Sequence, residues 1–477
     1  LSSSPFHIRV QSFFPHSFTE DQMKCVELLE LFLKDKHPHP VFILTGYAGT
    51  GKTSLLGAIV KTLQSYKIGT RLLAPTGKAA KVFSEKSETS AFTIHKIIYR
   101  RKNKTDDFNS LQLSPNLQAN TVFIVDEASM IGDYTMGKDG NVNHRNLLED
   151  LIEFVYSGKN CKLILLGDVG QLPPVGSDFS PALQPEYLER YFPKLSIHSA
   201  SLLEVLRQEH SSSILKNATQ LRKDATDSIP QLEIDKNGDL VLLTGTDLQD
   251  QLESSFSNFG TEETILITRS NKRANEYNNQ IRARIFWYED ILCNSDSLMI
   301  VKNNYFWLKD QVEIGFIANG ETMQVKRVMK YEELYGFQFA RVMVVFPNYE
   351  SIDEQEVLIH LESLQTDSPA LSRSRMKELF FEVEKDYLYE HNRKKRYDLI
   401  LADPYFNALQ VKFSYAVTCH KSQGGQWEHV FIDIGYLPEA AVNMEYKRWL
   451  YTALTRAKSK VFLINFPEDQ LLEKSGD

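Results

Sequence analysis

The stretch VFILTGYAGTGKTSLLGAIVKTLQSY, Val41 to Tyr66, decides the fold. Val41–Thr45 is an apolar, β-branched run and reads as a strand buried on both faces. GYAGTGKT, Gly46 to Thr53, follows at once and opens into a helical pattern. Strand, glycine-rich turn and helix in that order are the context a phosphate-binding loop requires. Gly46, Gly49 and Gly51 let the loop backbone, including the N–H groups of Ala48 and Thr50, approach phosphates closely. Lys52 supplies a point charge to the β- and γ-phosphates, Thr53 offers a hydroxyl to Mg²⁺, and the helix start adds its positive end.

Two further strings sit behind strands in the same way. VDEAS, Val125 to Ser129, follows TVFIV. Asp126 is placed to hold Mg²⁺, directly or through water, and Glu127 to orient and deprotonate an attacking water. Alone, an acidic pair after a strand is usually a solvated turn; behind a phosphate loop the catalytic reading prevails. GDVGQLPPV, Gly167 to Val175, follows KLILL, and the Gln171 amide can both donate and accept, as sensing a γ-phosphate or its attacking water demands.

Outward from these motifs the texture is constant. TRLLA (Thr70–Ala74) joins the first set of strands. DLVLLT, TILIT, FSYAVT (Phe413–Thr418), VFIDI and KVFLI form a second set after Asp239. Strand and helix in alternation imply parallel sheets covered by helices, here in two α/β lobes. A segment at 96–120 carries the basic run RRKNK and then DDFNS, and interrupts the first lobe. A longer one, 298–412, has alternating stretches and an Asn319-Gly320 turn, with a charged helical part from Ser372 to Tyr397. The expected division is 1–17 as an N-terminal extension, 18–95 with 121–192 as the first lobe, and 193–297 with 413–477 as the second.

Bulk properties agree. A chain of 477 residues exceeds one compact core, so about two to four domains are expected. No apolar run is long enough to span a bilayer. The opening LSSSPFHIRVQSFF begins without Met, leaving room for residues ahead of it, and lacks the pattern of a secretory leader. Cys25, Cys161, Cys293 and Cys419 stand too far apart for a metal site; they read as small buried residues in a reducing, cytoplasmic protein. A net charge of −8 argues against a basic coat but leaves room for a local basic groove.

Nucleotide hydrolysis leaves its use open, and other segments narrow it. QMKCVELLELF begins with Gln22, whose amide could read an adenine edge. APTGKAA carries Thr76 and Lys78, and TIHK carries Thr93, His95 and Lys96; each could line a track for a phosphate backbone, and each also reads as a capped helix start. LEVLRQ places Arg207, and VTCHKSQGGQW and YTALTRAK lie late in the second lobe.

In order and spacing these motifs resemble superfamily 1B helicases, the RecD-like, Dda-like and Pif-type group, from about Phe18 to Lys458. The resemblance implies two RecA-like lobes with ATP and Mg²⁺ between them. It implies adenine contact by Gln22 and γ-phosphate contact by Arg207 and Arg456. Thr76, Lys78, Thr93, His95, Lys96, Thr268, Asn271, Thr418, His420 and Lys421 would then line a single-strand channel, with Gln423 and Gly424 coupling it to the nucleotide. The 96–120 insertion falls where relatives carry a strand-splitting pin, and the 298–412 insertion where they carry an SH3-like domain. Phe108 could stack on the first unpaired base at a duplex junction or pack its own hairpin. The resemblance implies 5′-to-3′ movement on DNA. An RNA-directed motor shares most motifs; an ATP-dependent switch or a metabolic kinase would need no second lobe.

Overall fold

The computed structural model describes residues 5–101, 111–133, 146–205, 212–224, 228–235, 238–308, 316–349, 352–438 and 441–473. Arg207 and Phe108 lie outside the described residues.

Six parallel strands form the first sheet, in the order Ala91–Thr93, Gly69–Ala74, Thr121–Val125, Lys162–Gly167, Pro40–Gly46, Ser196–Leu202. The central strands are buried throughout, as their continuous apolar runs require. Helices cover both faces. On one, Leu55, Ile59 and Leu63 of Lys52–Ser65 pack against Phe42 and Leu44. On the other, Leu148, Leu151 and Val155 of Leu147–Ser157 meet Val41, Phe123 and Leu163. The segment expected as a separate extension contributes Phe6, Val10 and Phe14 to the first of these cores.

The strand Ser196–Leu202 corrects the expected boundary at 192. It pairs residue for residue with Pro40–Gly46 and belongs to the first lobe. It is an edge strand, half exposed, and its sequence SIHSASL lacks the apolar run that marks the central strands.

The second sheet runs Leu240–Leu243, Ala457–Ile464, Trp427–Asp433, Thr264–Thr268, Ala416–Thr418, again parallel. The insertion is a closed five-stranded barrel of Ser297–Ile300, Thr322–Leu334, Phe337–Val345, Gln355–His360 and Leu409–Phe413, extended by helices Arg373–Glu384 and Arg393–Leu401. FSYAVT, expected as one strand, is two: Phe413 ends the barrel and Ala416 begins the sheet. Between them the buried Tyr415 donates its hydroxyl to Asp296 at 2.9 Å, which pins the exit of the barrel to its entry. Leu266, Phe431 and Phe462 of the sheet share one apolar core with Val325 and Val342 of the barrel. The 96–120 insertion begins and ends as an antiparallel hairpin, Tyr99–Arg101 with Leu111–Leu113.

Candidate nucleotide and nucleic-acid sites

Ligands in open parallel sheets collect at the carboxyl ends of the strands. Here four such ends converge. Pro40–Gly46 delivers the phosphate loop, Gly69–Ala74 delivers Thr76, Thr121–Val125 delivers Asp126 and Glu127, and Lys162–Gly167 delivers Asp168 and Gln171.

Gly49 and Gly51 of the loop have φ of 83° and 76°, where a side chain would be strained. The ammonium of Lys52 donates to the carbonyls of Gly46 and Tyr47 and stands 4.0 Å from Asp168. Glu127 is itself left-handed, at φ 52°, a strained backbone of the kind that gathers at working sites. Its N–H donates to Asp126 Oδ1 at 2.8 Å, which turns the two carboxyl groups to different tasks. Burial raises the pKa of both above the usual carboxylate range. For Glu127 the neighbouring Asp126 adds to the rise, while Arg456 and Lys52 oppose it. A raised pKa suits a general base working near neutral pH. Gln171 is buried, and its Oε1 has no hydrogen-bond partner among the described residues.

The second lobe closes this cleft. Tyr451, on helix Met444–Leu454, accepts the N–H of Ala48 at 2.9 Å and donates to Asp168 at 2.7 Å. Thr452 Oγ1 accepts from the N–H of Leu172, and Gln423 Nε2 donates to the Leu172 carbonyl. Arg456 is buried, with its guanidinium donating to the Thr452 and Gly425 carbonyls and to Thr455 Oγ1. It lies within electrostatic reach of Glu127 across the cleft.

A second cavity, of about 850 Å³, opens between the lobes and the barrel. Thr76, Lys78, Asn271, Thr418, His420, Lys421 and Gln423 all line it. Its wall holds seven lysines and arginines against four carboxylates, so a chain of net charge −8 presents a locally basic groove. Lys78 Nζ sits 3.5 Å from the centre of the Trp427 ring, joining first lobe to second. Burial lowers Lys78 to about 7, against the pull of Glu263 and Glu262, and lowers Lys421 to about 8.

Residues 32–241 match an AAA domain, and residues 413–464 match a UvrD-like helicase C-terminal domain. The ATP-dependent RecD2 DNA helicase of Deinococcus radiodurans is 33% identical, covering 29% of this chain and 16% of its own length. The ATP-dependent DNA helicase dda of Enterobacteria phage T4 is 29% identical, covering 56% of this chain and 57% of its own.

The chain is thus similar to ATP-dependent DNA helicases of the RecD2 and dda type.

Another relative, the uncharacterized protein MJ1519 of Methanocaldococcus jannaschii, is 25% identical across 89% of this chain, which spans 36% of that protein's length. The chain thus covers less than two thirds of the length of each of these three relatives. A solved Pif1 helicase from Bacteroides aligns over 96% of this chain and 95% of its own at 16% identity, with a TM-score of 0.48.

Several of the expected site residues hold bonds within the chain or lie outside the cavity. Gln22 is buried, but its amide is engaged: Oε1 accepts from the N–H of Thr19 in a capping box, and Nε2 donates to the Thr50 carbonyl. It braces the phosphate loop. Thr93 is a buried helix cap for Ile94–Ile98, His95 packs on Tyr99 and Lys96 on Phe92; these three lie outside the cavity, as does the buried Thr268, which bonds the Ser270 carbonyl. Thr76 lines the cavity while capping helix Gly77–Ser87. Gly424, expected to couple the channel to the nucleotide, touches the opposite lobe. A Cβ there would lie 2.8 Å from that of Ala79. Cys25, Cys161 and Cys419 are buried as expected, whereas Cys293 is partly exposed.

Asp168, Tyr451 and Trp427 escaped the sequence reading. All three stand inside the quoted motifs, and a buried acid beside a phosphate loop was the available signal for Asp168. Among the described residues no helix is long and apolar enough to cross a membrane, and no cluster of His, Cys, Asp and Glu could by itself hold a metal.

Proposed function

We propose that the chain is an ATP-dependent DNA helicase that moves 5′ to 3′ on single-stranded DNA and opens duplexes at single-strand junctions. One observation carries this reading. The loop that would hold ATP and the basic cavity that would hold the strand lie along the same interface between lobes. One short segment, Gln423 to Trp427, serves both: Gln423 bonds the carbonyl of Leu172, next to Gln171, Gly425 holds Arg456, and Trp427 stacks on Lys78. A change in lobe spacing at the nucleotide therefore changes the grip on the strand.

Mg²⁺ fits the donor set, since this ion takes one or two carboxylates with phosphate and hydroxyl oxygens. Thr53 and Asp126 would hold it, and it would neutralise charge on the β- and γ-phosphates. The chain's own groups do the rest. Lys52 binds phosphate, Glu127 takes the water's proton, Gln171 orients that water, and Arg456 meets the charge that develops on the terminal phosphate, with Arg207 as its partner. ATP favours the closed cleft by the energy of those added contacts, and loss of the terminal phosphate releases it. Alternate grip by the two lobes turns each cycle into a step. The unpaired, widely spaced thiols suit the cytoplasm.

The test is unwinding of duplexes that carry only a 5′ or only a 3′ single-stranded tail. The 5′-tailed DNA should open and the 3′-tailed DNA should not. The reverse preference, or activity on RNA alone, would overturn the proposal.

A further inference from the structure

Arg222 bridges the two lobes beside the phosphate loop. It lies in the last turn of helix Ser213–Lys223, whose Leu221 packs in the core of the second lobe. The guanidinium crosses to the first lobe and stacks on the ring of Tyr47, 4.1 Å from its centre. Tyr47 is the second residue of the phosphate loop, and its carbonyl accepts the Lys52 ammonium at 2.8 Å. Arg222 also lies within electrostatic reach of Tyr451, whose hydroxyl takes the next loop N–H, that of Ala48.

Its hydrogen bonds are unequally used. Nη2 donates to the Leu203 carbonyl at 3.3 Å. Leu203 is in turn fixed to the first lobe, because its N–H donates to Asp21 at 2.9 Å. Nη1 is shielded from solvent and has no hydrogen-bond partner among the described residues. A charged donor shut away from water without an acceptor is costly, and such a group marks a place where an acceptor is meant to arrive. The acceptor that comes to the Tyr47 end of this loop is the phosphate chain of the nucleotide. Arginine, a planar fork with donors on two edges, can hold Leu203 with one and a phosphate oxygen with the other.

We propose that Arg222 is a further cation of the second lobe that binds the terminal phosphate of ATP, and that it thereby ties the nucleotide to the Leu203 segment leading toward Arg207. The proposal rests on the reading of Gly46–Thr53 as the nucleotide loop.

Titration of the whole chain with the non-hydrolysable analogue adenylyl imidodiphosphate, and separately with ADP, tests it. Arg222→Met keeps the length and packing on Tyr47 but removes the charge. It should weaken the triphosphate analogue roughly ten- to a hundredfold, the scale of one charge-assisted hydrogen bond, and leave ADP within about threefold. Arg222→Lys should recover part of the loss, and an unchanged melting temperature in either variant shows that folding is intact. Equal weakening of both nucleotides, or of neither, would overturn the proposal. Lys52→Ala separates the two readings. It should weaken both nucleotides, and if it weakens neither, the loop assignment has failed and the Arg222 proposal with it.

Discussion

The hydroxyl of Tyr451, in the second lobe, donates a 2.7 Å hydrogen bond to the buried carboxylate of Asp168 in the first. The same oxygen accepts the Ala48 N–H of the phosphate loop. One phenol thus links the loop, the acid beside Lys52 and the helix that leads to Arg456. Burial beside Asp168 keeps this phenol protonated far above neutral pH, so the donor is always present.

Tyr451→Phe removes the link and little else. The carboxylate and the loop N–H each lose a buried partner, at a cost of about 1–3 kcal/mol. Thermal unfolding should show that loss. Hydrolysis stimulated by single-stranded DNA should fall several-fold while affinity for the strand is kept. An unchanged melting temperature together with unchanged stimulation would remove Tyr451 from the coupling path.

Glu127→Gln should bind ATP as tightly as the parent yet turn over about 10²- to 10⁴-fold more slowly, because an amide cannot take the water's proton. Rapid-quench measurement of a single turnover reads this step directly. Near-normal turnover would place the base elsewhere.

Gly425→Ala puts a Cβ 2.4 Å from the Trp427 ring and 2.9 Å from Lys78 Cε. Lys78 can swing aside, but the buried indole cannot. Overpacking should cost about 1–3 kcal/mol of stability, and displacement of the indole should break its stack with Lys78. Tryptophan fluorescence should shift, and unwinding should fall more than basal hydrolysis. A silent variant would mean that the lobes tolerate wider spacing there.

The strand's affinity should depend on pH. A lysine is charged below its pKa, and burial has lowered Lys78 to about 7 and Lys421 to about 8. Both charges are lost as pH rises through that window. Binding of a single-stranded oligonucleotide at constant salt should therefore weaken from about pH 6 to about pH 9, with proton uptake on binding. Affinity that holds flat across that range, or rises, would show that neither lysine meets phosphate.

The phosphate loop was legible because it is local: strand, glycines, lysine and helix are contiguous, and backbone geometry dictates each. The central strands were legible because burial on both faces demands unbroken apolar runs. Ser196–Leu202 was not, since an edge strand needs no such run. The split of FSYAVT was hidden because Phe413 and Ala416 are both apolar and only the turn at Ser414-Tyr415 separates barrel from sheet. Gln22 and Thr93 show the limit for polar side chains. Each has the right chemistry for a ligand, and each also caps a helix, a second use that residue type alone does not separate from the first. The contacts of Tyr451 with Ala48 and Asp168, and of Arg222 with Tyr47, join residues more than a hundred positions apart in the chain, so no local pattern announces them.

The central claim is that a strand held between the lobes drives hydrolysis at the loop. The most direct measurement is the rate of ATP hydrolysis by the whole chain with and without single-stranded DNA, with Lys52→Ala as the control for contaminating activity. A low basal rate is expected, with stimulation of at least about tenfold by the strand and no hydrolysis in Lys52→Ala under either condition. A rate that is the same with and without the strand would contradict it.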